Sequence, residues 1–325
     1  MKQLIKKLAA GLALAAAAGV QAQAPAPAPL AQPVTLNVGY AKVGHLASML
    51  FVADELKKLN IEVKPVEFAR YADSRTALIG GSVDVSAVGP GDLAIAASQG
   101  SRNLVGLVGV AASPKKLVVR KGVAINDWKD IAGKKIGIAP GSAVWFQFAA
   151  TMVEKGIPYN TFQEIKIQGG GTAFVQALKR GDIDAFVCWE PFESQVVADG
   201  TATFADKVEY SQSKSVGAEL GLIAASRTAL EQKKEAVSRF LWVYLQAEKR
   251  LAADKGAFAD AYSKYTGLPI EVARESVKLI TLGGVINAEQ AAAQATAFHK
   301  LGVLQRDVSA EVRTLFDDSL ARAVR

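Results

Sequence analysis

Apolar and polar positions change period along this chain. Residues 35–40 read Thr-Leu-Asn-Val-Gly-Tyr, apolar at every second place, and residues 61–68 come close to the same alternation. A period of two predicts a half-buried strand. Residues 46–59 instead carry apolar side chains three and four apart, the spacing of an amphipathic helix. A polar turn at 69–74 leads into a second helix, stopped by Gly80-Gly81, and a short apolar strand runs up to Gly89-Pro90. The order then recurs. A strand opens at Gly133-Lys134-Lys135-Ile136-Gly137, a helix covers 142–155, and a second strand covers 164–168. Gly169-Gly170-Gly171-Thr172 leads into a helix ending at Arg180, and Gly-Asp-Ile-Asp introduces a strand that finishes at Trp189-Glu190-Pro191. Gly39 corresponds to Gly137, and Gly81 to Gly181.

Each copy is a β-α-β-α-β unit, which builds a mostly parallel sheet with helices on both faces. Two copies predict two similar lobes. The expected division is residues 34–117 plus 214–325 for the first and 118–213 for the second, with the chain crossing near 113–119 and returning near 211–217. Two crossings make a hinge. Residues 203–210 read as a connector and 220–226 as a short apolar strand. Everything beyond is expected to be helical: 231–253, 257–265, 270–280 and 288–301, with Gly267 and Gly302 as stop signals. Open α/β sheets bind ligands outside the carboxyl ends of their strands, so two facing lobes should form a cleft at the loops 41–46, 69–73, 89–92, 140–145, 169–172 and 189–192.

The first residues follow neither period. Lys2, Lys6 and Lys7 precede an apolar run over 8–20, too short to span a bilayer with confidence, and Val20-Gln21-Ala22 fits a cleavage site. Residues 1–22 are therefore expected to be a secretory signal peptide, with Gln23 as the mature start and a periplasmic destination. No cysteine follows the apolar run, so no lipid anchor is expected. The alanine/proline stretch 23–33 is expected to be an extended, solvated tether. Losing three lysines and no acid takes the formal net charge from +7 to +4. A mild positive balance attracts small anions. The lysines are scattered, with no basic run among aromatics, so nucleic acid is not an expected partner. One cysteine, Cys188, and two histidines, His45 and His299, leave nothing for a disulfide, a cysteine cluster or a multi-histidine metal site. No cofactor or metal is expected.

With these segments in place the chain resembles the periplasmic solute-binding proteins of ABC importers, in the nitrate/sulfonate/taurine group. The resemblance rests on residues 39–45, 81–92, 133–142, 181–191 and the stretch after Ala218, and covers about 34–320. Order and spacing carry it, and Trp189-Glu190-Pro191 after Gly-Asp-Ile-Asp is its sharpest element. It implies the two-lobed, Venus-flytrap α/β fold of type II binding proteins and a monomer without catalysis. It also implies capture of a small molecule in the interlobe cleft and delivery to an ABC permease and ATPase complex in the inner membrane. Members of the group take sulfonates, nitrate, aromatic acids or pyrimidine precursors. The favoured ligand is a small organic anion: a sulfonate, a taurine-like compound or an aromatic carboxylate. The alternatives are a pyrimidine-type thiamine precursor, or a pyrimidine-precursor synthase of the same wider fold group. Such an enzyme needs a cofactor lysine and an iron-binding cysteine cluster; the leader and the lone Cys188 speak against it.

Each candidate site residue has a functional and a structural reading. Ser142 opens a helix after Pro140-Gly141, where free amides and a hydroxyl suit an anion or simply cap the helix. Gly170 and Thr172 lie in a glycine turn that lets amides approach a ligand, or Thr172 is a plain cap. His45 follows the first strand, as a ligand contact or a capping histidine. Trp145 and Trp189, with Tyr40 and Tyr71 in the first lobe, can stack on a planar ligand or pack within the protein. Gly89 lies in the cleft loop 89–92. Asp73, Asp92, Glu190 and Glu219 are acids near the cleft, and Asp92 and Glu190 also suit helix starts. Uncharged donors at His45, Ser142 and Thr172 are expected to converge on the anion. Cys188 reads as a buried, inert thiol.

Export has a direct check. N-terminal sequencing of the protein from fractionated cells should find Gln23 first, in the periplasmic fraction. An uncleaved cytoplasmic product would overturn it.

Overall fold

The computed structural model describes residues 25–325. The signal peptide expected at 1–22 lies outside the described residues. The first sheet has six strands in the order β11-β4-β10-β3-β1-β2. These are β1 (Val34–Tyr40), β2 (Ile61–Glu67), β3 (Val85–Val88), β4 (Leu104–Ala112), β10 (Glu219–Ser226) and β11 (Thr281–Leu282). The second has five, in the order β7-β6-β8-β5-β9. These are β5 (Lys116–Arg120), β6 (Lys135–Ile138), β7 (Gln163–Lys166), β8 (Ala185–Phe186) and β9 (Ala202–Glu209). Apolar clusters cover both faces of each sheet.

The sequence repeat is the topology repeat. β2-β1-β3 and β7-β6-β8 are parallel triplets, and Gly39 pairs with Ser86 as Gly137 pairs with Phe186. A side chain at Gly39 would lie 2.3 Å from Ser86 Oγ, and one at Gly137 would lie 2.8 Å from Ile183 Cδ1. Both strands need glycine for the same close approach. Each sheet then gains antiparallel neighbours, β10 and β4 in the first, β5 and β9 in the second. The sheets are therefore mixed rather than mostly parallel. The parallel part is the β-α-β-α-β unit, and the antiparallel part comes from the strands flanking each crossing.

The crossings lie between β4 and β5 and between β9 and β10. They run side by side: the Ser113 amide donates to the Ala218 carbonyl at 3.1 Å, and the Tyr210 amide to the Lys115 carbonyl at 2.8 Å.

Several local expectations change. Residues 203–210 fall largely within β9, an edge strand that buries only Ala202, Ala205 and Val208. The helix expected over 46–59 is a 3₁₀ turn, Gly44–Phe51, continued by α1 (Val52–Lys57). Tyr262 packs so closely on Gly44 that a Cβ there would lie 1.6 Å from its ring. The expected helix 231–253 is two, α7 (Arg227–Gln232) and α8 (Lys234–Ala253). β11 interrupts the otherwise helical C-terminal part. The alanine/proline segment is extended but not free. Leu30 packs on the core beside β1, its amide donates to the Leu59 carbonyl at 3.0 Å, and Arg239 Nε holds the Ala28 carbonyl at 2.9 Å.

Helix α4 (Ala143–Glu154) follows β6 but also reaches the first sheet's side. Its Phe146 stacks on Phe298 of α11 (Ala288–Lys300), with ring centroids 3.4 Å apart. Gln147 Nε2 donates to the Glu219 carbonyl at 3.2 Å. Phe298→Ala should therefore lower the unfolding free energy by about 3–5 kcal/mol. Denaturant titration reads this, and an unchanged midpoint would show that the stack contributes nothing.

Candidate functional site

A cavity of about 380 Å³ opens where the carboxyl ends of the two parallel triplets face each other. Seven of the sequence candidates line it: His45, Tyr71, Gly89, Asp92, Ser142, Gly170 and Trp189. Asp73, Trp145, Thr172, Glu190 and Glu219 do not, and each has a different environment.

Ser142 caps α4, its Oγ accepting from the Trp145 amide at 3.2 Å. That bond uses an oxygen lone pair and leaves the hydroxyl hydrogen to donate. The first amides of the helix, at Ala143 and Val144, belong to residues that also line the cavity. Gly170, not Thr172, caps α5 (Gly171–Arg180), at φ +78°, a conformation that favours glycine. Thr172 is exposed on the helix's first turn. Trp189 lies in the loop between β8 and α6 (Phe192–Ala198), its ring set edge-on to Phe174 at 5.9 Å.

His45 is 3% exposed, and its Nε2 lies 2.6 Å from the Tyr71 hydroxyl. Burial lowers its pKa to about 3, helped by the nearby Lys115 charge, so the ring is neutral. Asp92 is the only acid among the lining residues. Its carboxylate is occupied: Oδ1 takes a hydrogen bond from Arg75, and Oδ2 takes the Gly89 amide at 2.7 Å. Burial pushes its carboxyl pKa up, and these two partners oppose the shift.

Four of the other candidates are held elsewhere. Asp73 pairs with Arg70 at 2.9 Å. Trp145 packs on Phe146 and donates through Nε1 to the Tyr159 hydroxyl. Glu190 is 1% exposed, and its carboxylate accepts from Ser194 and Ser276. Glu219 is 2% exposed and accepts the Val285 and Ile286 amides at 3.1 and 3.3 Å, with burial raising its pKa to about 7.

Sequence reasoning missed the cations. Arg70, Arg75 and Lys166 all line the cavity, together with Gln168. The donors around it are therefore not all uncharged. Arg70 Nη1 also reaches across to Gln168 Oε1 at 3.3 Å, joining the two walls. The available signal was position: Arg70 lies in the 69–73 turn, and Lys166 ends β7, both at carboxyl ends of strands.

A model of the NMT1-like family matches residues 30–266. The chain belongs to the NMT1-like family. The match takes in every strand but β11 and all seven cavity-lining candidates. No curated protein sequence matches the chain. Among solved structures, this family member is similar to the alkanesulfonate-binding protein SsuA from Xanthomonas axonopodis pv. citri, bound to MOPS. The TM-score is 0.75 at 20% identity, covering 89% of this chain and 99% of that one. It is also similar to the periplasmic aliphatic sulphonate binding protein SsuA from Escherichia coli, with TM-score 0.71 and 21% identity over 86% and 92% of the two chains. A third is the periplasmic nitrate-binding protein NrtA from Synechocystis PCC 6803, with TM-score 0.73 and 16% identity over 92% and 89%. At these identities the likeness is one of fold, the two-lobed binding-protein architecture.

The neutral His45 has a measurable consequence. A histidine whose pKa falls from 6.5 unfolded to about 3 folded contributes nothing against folding above pH 6.5 and costs stability as pH drops towards 3. Denaturant unfolding should show His45→Gln losing less stability than the native protein over that window. Equal losses would place the ring in a solvated setting.

Proposed function

We propose that this NMT1-like protein is the exported, non-catalytic solute-binding component of an ABC importer. It captures a small organic anion between its lobes and delivers it to a membrane permease. Residues 34–117 with 214–325 make one lobe and 118–213 the other, and the protein acts as a monomer in the periplasm. One observation carries this reading. The cavity is walled by both lobes, it gathers Arg70, Arg75, Lys166 and the start of α4, and its single lining acid is already engaged by Arg75 and Gly89. Helix-start amides and guanidinium groups are the donors that an oxyanion accepts best. The apolar remainder, with Ile95, Phe174, Trp189 and Leu220, suits a hydrocarbon or aromatic body.

The solved relatives support the class of ligand, since two are named for binding sulfonates and one for nitrate. Glu190 and Glu219, acids that would repel an anion if they faced it, are turned to other partners. Cys188 is fully buried and does not line the cavity, and burial pushes its thiol well above the usual range, which disfavours a nucleophile.

Calorimetry against sulfonates, aromatic carboxylates, nitrate and aminopyrimidines tests the reading. Binding is expected among the organic anions, and Ser142→Ala should weaken it about tenfold, or ~1.4 kcal/mol, because the helix amides remain. Binding confined to neutral or cationic compounds would refute it.

A further inference from the structure

The wall opposite α4 carries a polar pair that the anion reading leaves unused. His45 Nε2 and the Tyr71 hydroxyl are 2.6 Å apart, both residues line the cavity, and His45 Nδ1 is enclosed with no hydrogen-bond partner among the described residues. Tyr71 also adjoins the Arg75–Asp92 pair. A Cβ placed on Gly89 would lie 3.2 Å from Asp92 Oδ2 and 3.6 Å from the Tyr71 ring.

The protons of this pair can be counted. The imidazole is neutral and the phenol keeps its hydrogen, since burial moves both pKa values away from the charged forms. The pair thus holds two mobile hydrogens, one imidazole N–H and one phenol O–H. The 2.6 Å contact uses one of them. If Tyr71 donates to Nε2, the second hydrogen is on Nδ1, enclosed and near the Lys115 ammonium. If Nε2–H donates to Tyr71, the second hydrogen is the phenol's and Nδ1 is left as a lone pair. Nδ1 is enclosed without a partner in either arrangement, but the positive charge of Lys115 disfavours an N–H there and favours a lone pair. The second arrangement wins. His45 therefore leaves Tyr71 with an O–H that has no acceptor among the described residues.

We infer that Tyr71, made a donor by His45, is a specificity-determining residue that reads a hydrogen-bond acceptor on the part of the ligand opposite its acid group. The preferred substrate class is a bifunctional organic acid: a sulfonate or carboxylate group at the α4 side, an apolar middle, and a carbonyl-type oxygen at Tyr71. This inference rests on the organic-anion reading and deepens it. A site built to hydrogen-bond one group discriminates strongly against the analogue that lacks it, because its own buried donor is then left unpaired.

Matched acids test it by calorimetry on the unaltered protein: benzoate against 4-acetylbenzoate, benzenesulfonate against 4-acetylbenzenesulfonate, and pentanoate against 5-oxohexanoate. In at least one pair the keto compound should bind about tenfold tighter or better. Tyr71→Phe, which keeps the ring, should abolish that advantage and bring the two members of the pair to about equal affinity. Ser142→Ala should weaken both members alike. Equal or weaker binding of the keto compound in all three pairs would overturn the inference and leave anion capture standing. So would an advantage that survives Tyr71→Phe. Failure of all six acids to bind would overturn the anion reading and this inference with it.

Discussion

A buried ammonium at the crossing of the chain organises the molecule. Lys115 is 1% exposed, in the first crossing, and its Nζ lies 2.5 Å from Glu193 Oε2. A charge taken out of water must be paired, and removing one partner of such a pair costs several kcal/mol. Glu193 belongs to α6 (Phe192–Ala198), so the pair ties that helix to the first crossing. Burial pushes the Glu193 carboxyl above its usual range, with Lys115 opposing the shift and Glu190 adding to it. Glu190 in turn accepts from Ser276 of α10 (Ile270–Leu279), which packs with the first sheet's core. One cluster thus connects the first crossing, the second lobe and the C-terminal helices. It also places the Trp189 loop, which immediately precedes α6, at the cavity.

The same topology that makes the hinge makes the cavity. Each lobe keeps a parallel triplet, and each takes up one of the strands that follow a crossing, β5 in one and β10 in the other. The carboxyl ends of the triplets then face each other, bringing Arg70 and Arg75 opposite Ser142, Lys166 and Gln168. Every cation there has an acid beside it: Asp73 for Arg70, Asp92 for Arg75, and Glu164 for Lys166 at 3.7 Å. Paired cations hold donors in fixed directions without leaving a strong unbalanced charge in the cavity. With His45 neutral as well, the cavity presents donors in fixed directions rather than a strong net charge.

Some of the site was legible one residue at a time and some was not. Ser142 follows Pro-Gly and opens an apolar helix, a local pattern with local consequences, and it both caps α4 and lines the cavity. His45, Gly89, Asp92, Gly170 and Trp189 were found because strand ends are readable from hydrophobic period. Glu190 and Glu219 share that signal and yet face away, because a side chain's direction at a strand end depends on what packs around it. Serines from two helices capture Glu190, and the 285–286 backbone captures Glu219. Lys166 shared the strand-end signal, but Arg75 lies within a helix, where nothing in a polar position's sequence context says whether another lobe stands opposite.

By itself the sequence determined the two β-α-β-α-β units, their repeat, the approximate crossings and the loops that carry the site. These depend on periodicity and turn chemistry, which act within a few residues. The tertiary structure alone decided that β9 is a strand, that Leu30 pins the N-terminal segment, and that the helix after β1 begins as a 3₁₀ turn against Tyr262. It alone decided which polar groups meet across the cavity and which find partners elsewhere. A buried charge or donor is satisfied by whatever lies within about 3 Å of it in space, and those neighbours are as far apart in the chain as Lys115 and Glu193, or Glu190 and Ser276.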